Sequence, residues 1–178
     1  MKPLSLSLWD DSLRHIVDDM NGSPLNIHAL MANHPRLLNA WWTLRNYSVH
    51  GGDLSQRDCE LVILRVSIHM RCSYEWASHV VRGLASGLSL DEINRVKSGP
   101  DESEWSEKDA VLLLAVDELI AEQRIEAKTQ QALTAHFSEN QVMDVIAIHG
   151  MYVSIACMIN TWPIDLDADT ERRLSELP

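Results

Sequence analysis

Four side chains that can transfer protons or react as thiols lie within one stretch of twenty residues. They are Glu60, Cys72, Glu75 and His79. Glu75 and His79 are four residues apart and Cys72 precedes Glu75 by three, so these three share a face if the stretch is helical. A thiol, a carboxylate and an imidazole that converge on an apolar wall are typical of proton-transfer or thiol chemistry. This stretch is therefore the candidate active site.

Two helices are predicted to position these side chains. The first begins after Ser55, which has Asp58 three residues later in the spacing of a helix cap, and continues to about residue 70. The second spans about residues 73–86. Cys72 would then lie at a helix start, where the helix macrodipole favours the thiolate.

The rest of the chain also has the apolar spacing of helices, interrupted by glycine and proline. The alternation typical of strands does not occur, and the length of 178 residues suits one domain with its own core. The sequence therefore predicts an all-α fold. The further predicted helices span residues 10–20, 35–50, 89–98, 107–123, 129–137 and 138–160. Three of them begin with the spacing of a helix cap: Ser89 with Glu92, Ser106 with Asp109, and Ser138 with Gln141.

Composition restricts the partners and the compartment. The net charge of −11 argues against a nucleic-acid partner, because phosphate binding needs a basic surface. Three cysteines (Cys59, Cys72 and Cys157), without a CxxC, suggest neither a disulfide framework nor a zinc knuckle and fit a reducing cytosol. The N-terminus lacks the pattern of a signal peptide, and we expect no apolar run of membrane-spanning length. A cytoplasmic protein with no membrane partner is the expectation.

The motifs resemble those of the carboxymuconolactone decarboxylase family, over about residues 35–162. The most specific of them is Tyr74-Glu75-Trp76-x-x-His79, with Glu60 upstream. The other matching elements are Leu54-Ser55-x-Arg57-Asp58-x-Glu60-Leu61-x-Ile63-Leu64-Arg65, Gly87-Leu88, Trp105-Ser106-Glu107, Leu114, Asp117-Glu118-Leu119 and Gly150-x-Tyr152.

The resemblance implies an alkylhydroperoxidase D-like helical fold that forms an obligate oligomer, a trimer or a hexamer. It divides the chain into an N-terminal helical extension (1–34), a carboxymuconolactone decarboxylase-like domain (35–162) and an acidic tail (163–178). The peroxidase branch of the family carries Cys-x-x-Cys before its histidine. Here Glu75 replaces the second cysteine, so the chain keeps the Glu-x-x-x-His of the decarboxylase branch, which needs no cofactor.

Roles follow for the candidate residues. His79 is the expected general acid or base, with Glu75 orienting it or exchanging protons. The resemblance implies that Glu60 reaches the site, and Cys72 is either a nucleophile or a small buried side chain. Arg65 is expected in a salt bridge or, alternatively, at a substrate carboxylate. The expected substrate-binding residues are Tyr74, Trp76, His149 and Tyr152.

A metal site is not predicted, because di-iron bundles use Glu-x-x-His and this chain has Glu-x-x-x-His. Three functions remain open. The first is a cofactor-free enzyme that catalyses a decarboxylation, an isomerisation or a related lyase step on a small oxygenated or carboxylated molecule. The second is an alkylhydroperoxidase-like thiol antioxidant that uses Cys72. The third is a helical oligomer that binds a ligand without catalysis.

Overall fold

The computed structural model describes residues 1–101 and 103–177, and the regular structure within them is entirely helical. This confirms the predicted all-α class. The α-helices are α1 (Arg14–Asp19), α2 (Asn26–Met31), α3 (Pro35–Asn46), α4 (Gln56–His69), α5 (Ser73–Ala85), α6 (Leu90–Arg95), α7 (Glu107–Glu122), α8 (Ala127–Leu133), α9 (Glu139–Thr161) and α10 (Ala168–Ser175). Two 3₁₀ turns precede α1, and a π-helical turn, Tyr47–Gly51, follows α3.

Helix α4 is the centre of the molecule. Every residue from Asp58 to Ser67 is buried, because α5, α7 and α9 all pack around α4. Ser55 Oγ accepts a hydrogen bond from the Asp58 amide at 3.1 Å, which confirms the predicted cap. Arg71 has a φ of 52°, and this turn separates α4 from α5 at the predicted junction.

The other predicted helix caps are also present. Ser89 with Glu92 and Ser138 with Gln141 form capping boxes, in which each side chain bonds the other residue's amide. Ser106 Oγ accepts a hydrogen bond from the amide three residues later. These caps set where α6, α7 and α9 begin and hence how the core helices align.

Arg65 holds α4 to α7. Its Nε and Nη2 donate to the two carboxylate oxygens of Asp117 at 2.6 and 2.8 Å, and its Nη1 donates to the Val96 carbonyl at 2.8 Å. His69 Nε2 lies 2.6 Å from the same carboxylate. Arg65 is thus the salt-bridge partner that the sequence predicted, and its guanidinium is already occupied.

The expectation of no apolar run of membrane-spanning length is wrong. Helix α9 is long and apolar enough to cross a membrane, with a mean hydropathy of 1.8 over its most apolar window, and 44% of that window is buried in the protein. Helix α9 is apolar on more than one side. One side packs against α4 and α7, and Met143 and Ile146 are exposed.

Both chain ends pack on the central helices. Leu13 and Ile16 are fully buried in the same core as α4. The acidic tail packs against α5 through α10, and Asp167 accepts hydrogen bonds from the Tyr74 hydroxyl and from the Asn26 backbone amide. The tail therefore ties α2 to α5 next to the candidate site.

Candidate active site

His79 and Glu60 form the closest polar contact of the candidate site. His79 Nδ1 lies 2.6 Å from Glu60 Oε2, between α5 and α4, and both side chains are buried. Because a carboxylate only accepts hydrogen bonds, Nδ1 carries the hydrogen and donates it. Nε2 is then left as the unprotonated nitrogen of the ring, the form that can take a proton.

Burial keeps His79 neutral. Loss of solvent lowers the pKa of the imidazole, and the nearby Arg82 acts in the same direction, while Glu60 opposes them. The result is a histidine that is oriented by a carboxylate and carries no charge at neutral pH.

Glu75 is the second acid–base group. It is 4% exposed, and its Oε2 has no hydrogen-bond partner among the residues that the structure describes. Burial raises the pKa of this carboxyl to about 8, so it is protonated at neutral pH. The sequence paired Glu75 with His79. In the structure the hydrogen bond of His79 goes to Glu60, because the two helices bring Nδ1 against α4.

Two cavities meet at these groups. An inner cavity of about 30 Å³ is bordered by Glu75, Ser78 and His79. An outer cavity of about 440 Å³ is bordered by Glu60, and its size is typical of a small-molecule site. Three side chains line both cavities, which therefore share a wall: Arg45, Arg82 and Tyr152.

Unsatisfied polar atoms surround the inner cavity. Besides Glu75 Oε2, the buried Ser78 Oγ and Trp41 Nε1 have no hydrogen-bond partner among the described residues. Such groups are costly to bury unless a ligand or water pairs with them, so they are frequent where a protein binds polar molecules. Tyr152, whose ring meets His79 edge-on with centroids 5.0 Å apart, closes the opposite side.

Arg45 and Arg82 were missed by the sequence analysis. Arg82 lies three residues after His79 and seven after Glu75, so it shares their helix face, and this spacing could have identified it. Arg45 comes from α3, and only the packing of α3 against the site reveals it. Both guanidinium groups are half-buried.

Cys72 is buried away from the site. Its side chain is 1% exposed, and it lines neither cavity. The position at the start of α5 was predicted to favour the thiolate, but burial outweighs the helix dipole and raises the pKa of the thiol to about 11. Cys59 does line the outer cavity, and burial raises its pKa to about 12. Cys157 is exposed.

The predicted substrate-binding residues are divided between two regions. Tyr152 lines both cavities, and Tyr74 lines the inner one while its hydroxyl donates to Asp167. Trp76 lies beyond the cavity walls with Lys97 Nζ 5.0 Å from its ring centroid. His149 is also outside both cavities, where burial and the nearby His69 lower its pKa.

Within residues 1–101 and 103–177, no three histidine, cysteine or acidic side chains converge so that they could hold a metal ion. The site itself presents a neutral imidazole, one carboxylate, one protonated carboxyl and two guanidinium groups.

Solved structures with the same fold are similar over nearly the whole chain. A peroxidase-related protein from Ralstonia eutropha JMP134, described as an alkylhydroperoxidase AhpD core, has a TM-score of 0.82 at 18% identity, with 96% of this chain and 93% of that chain covered. A peroxidase-related protein from Silicibacter sp. TM1040 has a TM-score of 0.79 at 17% identity, covering 95% and 93%. The debrominase Bmp8, in complex with 2,3,4-tribromopyrrole, has a TM-score of 0.78 at 13% identity, covering 98% and 95%.

The sequence comparisons concern the central helices. A search of curated proteins finds no match. The model of the carboxymuconolactone decarboxylase family matches residues 35–99, which include α4, α5 and the Glu60–His79 pair. Over these central helices the chain is therefore similar to the carboxymuconolactone decarboxylase family, and its overall fold is the alkylhydroperoxidase D-like fold.

Proposed function

We propose that the protein is an acid–base enzyme that needs no cofactor and catalyses a decarboxylation, an isomerisation or a related lyase step on a small oxygenated or carboxylated molecule. One observation carries this proposal. A neutral histidine oriented by Glu60 and a protonated Glu75 border the same small cavity, with a larger cavity beside it. A base and an acid in opposite protonation states, side by side, are what such a reaction needs.

In an isomerisation, Nε2 of His79 takes a proton from a carbon next to a carbonyl group. The electron pair of that C–H bond moves to the carbonyl oxygen, which takes the proton of Glu75. The imidazolium then returns its proton to another carbon, and Glu75 recovers its own from the enol. In a decarboxylation the electron pair comes from the carbon–carboxylate bond, carbon dioxide leaves, and a solvent proton reaches the carbon through His79. Glu75 stabilises the enolate in both cases.

The first test is a screen of carboxylated lactones and β-keto acids for carbon dioxide release, together with proton exchange into deuterium oxide at carbons next to carbonyl groups. We expect one compound class to show turnover that requires no added metal or redox partner. Turnover that appears only with a thiol reductant and a peroxide would contradict the proposal.

The thiol-antioxidant function is supported by the names of the two peroxidase-related proteins that share the fold. The debrominase in complex with its ligand is a cysteine-to-alanine variant, which is a second reason to consider a thiol function. In this chain, however, Cys72 is buried, lies outside both cavities and has a raised pKa. We therefore favour proton transfer over thiol chemistry.

We expect Cys72→Ser to retain the wild-type rate, within about twofold, because the thiol touches neither cavity. In the folded wild type at pH 8, iodoacetamide should modify the exposed Cys157 and leave Cys72 intact, as read by peptide mass spectrometry. Cys157→Ser serves as the control that removes the accessible thiol. Rapid, reversible oxidation of Cys72 by hydrogen peroxide would instead support the antioxidant function.

We also propose that the protein acts as a homo-oligomer, a trimer or hexamer, in the cytoplasm. The family resemblance suggests this assembly, and the exposed Met143 and Ile146 on α9 are apolar side chains that a second copy could cover. Sedimentation equilibrium of the purified protein measures the assembly directly.

A further inference from the structure

Arg45 and Arg82 lie on the shared wall of the two cavities without a carboxylate partner among the described residues. Other half-buried or buried arginines in the chain, Arg57, Arg65 and Arg95, each pair with a carboxylate. Among the described residues, Arg45 donates only to the neighbouring Asn46 amide oxygen at 2.9 Å, and its guanidinium lies 4.8 Å from the ring centroid of Trp42. Most of its donors therefore remain available.

The two guanidinium groups act on each other. Both are half-buried and line the same two cavities. Burial and the charge of Arg82 lower the pKa of Arg45, while the nearby Tyr152 and Asp19 oppose this shift. Like charges in such a place are unfavourable unless an anion lies between them. The planar fork of arginine matches the two oxygens of a carboxylate.

The charges around the cavities add up to a small positive value. Arg45 and Arg82 contribute +2 and the Glu60 carboxylate contributes −1, so the sum is 2 − 1 = +1. The remaining titratable groups on the walls are neutral near pH 7, because burial lowers the pKa of the histidines and raises that of the acids, the thiol and the phenols: His28, Cys59, Tyr74, Glu75, His79 and Tyr152. A local charge of +1 in a chain of net charge −11 is complementary to a single negative charge on the ligand.

We propose that Arg45 and Arg82 form a binding site for a singly charged carboxylate, and that the substrate of this protein is a small monocarboxylic acid. The carboxylate lies on the shared wall between the two guanidinium groups. The apolar body of the acid occupies the outer cavity, against Ile63 and Ile148. Its oxygen-bearing carbon faces the inner cavity, where Glu75 and Ser78 have unpaired polar atoms. This assignment of substrate class rests on the proposed function, whereas the carboxylate site itself does not.

The test is equilibrium binding by calorimetry with three unreactive probes that differ in charge. Benzoate carries one charge, its amide benzamide carries none, and phthalate carries two. We expect benzoate to bind about tenfold or more tightly than benzamide, because a charge-assisted bond is lost in the amide, and phthalate to bind no more tightly than benzoate.

Variants locate the site. Arg45→Gln and Arg82→Gln should each weaken benzoate binding about tenfold or more and change benzamide binding less than about threefold. Arg124→Gln is the control, since Arg124 is exposed, pairs with Glu126 and lines neither of the two cavities. If a glutamine variant does not fold, Arg82→Lys replaces it and should still weaken benzoate, because lysine lacks the planar fork.

Several outcomes would overturn the proposal. Equal affinity for benzoate and benzamide would exclude a carboxylate site, and tighter binding of phthalate would exclude the single charge. Benzoate affinity that is unchanged in both arginine variants would exclude Arg45 and Arg82 as the carboxylate site. Release of bound benzoate when a second copy of the chain associates would also exclude them. His79→Gln separates the two proposals, because it should keep benzoate affinity even where it removes turnover. If His79→Gln instead keeps turnover, the proposed function fails while the carboxylate site stands.

Discussion

His79→Gln is expected to lower kcat by about a thousandfold, since the variant has no ring nitrogen that can take a proton. The side chain borders the inner cavity and is held by a 2.6 Å contact to Glu60. Steady-state kinetics with the substrate found in the screen would measure the loss. KM should change less than kcat, because the imidazole acts on the transition state more than on the bound substrate.

Glu60→Gln tests how the histidine is oriented. A glutamine amide can donate to Nδ1, which would place the proton on Nε2 and remove the base. We therefore expect a loss of about a hundredfold or more in kcat with little change in folding stability. A purely structural role for Glu60 would instead lower stability and leave the rate per folded molecule unchanged.

The matched control for both variants is His69→Gln. His69, on α4, also has a 2.6 Å contact to a carboxylate, that of Asp117 on α7, yet it lies outside both cavities. Its replacement should leave kcat within about twofold of the wild type. If His69→Gln and His79→Gln lose activity equally, the effect comes from general loosening of α4. If both retain it, the protein binds its ligand without chemistry at His79.

The fold could be predicted to a large extent because its signals are local. Ser55, Ser89, Ser106 and Ser138 each begin a helix at the predicted position, since a cap needs only residues three positions apart. The packing of α10 on α5 could not be predicted, because the hydrogen bond from Tyr74 to Asp167 joins residues far apart in the sequence.

The sequence predicted most of the residues of the candidate site, but it did not predict which carboxylate is the hydrogen-bond partner of His79. Spacing along α5 brought Glu75 and His79 to one face, but the choice between Glu75 and Glu60 as the partner of His79 depends on how α4 packs against α5. Arg45 depends on long-range packing in the same way. The thiolate expected at Cys72 is absent because complete burial is a tertiary property that the helix dipole cannot offset.

Glu75→Gln is expected to change how stability depends on pH. The pKa of Glu75 is raised from 4.5 to about 8 in the folded protein, so between these values the unfolded chain releases a proton that the folded chain keeps. The stability that Glu75 contributes to the wild type should therefore be fully present below about pH 4.5 and be lost as the pH rises to about 8, by on the order of a few kcal/mol. Glutamine has no proton to release, so the variant should lack this decline.

Urea unfolding at pH 5 and pH 8.5 would measure the difference, with Glu122→Gln, an exposed glutamate at the end of α7, as the control that keeps the wild-type slope. Loss of the Glu75 proton should also affect the pH dependence of the catalytic rate. The rate of the wild type is expected to fall above about pH 8, where Glu75 loses the proton that it donates, and Glu75→Gln should be slower at all pH values with no such fall. An unchanged stability slope in Glu75→Gln would mean that the buried carboxyl is ionised, and the enolate would then have to be stabilised by Arg45 and Arg82 instead.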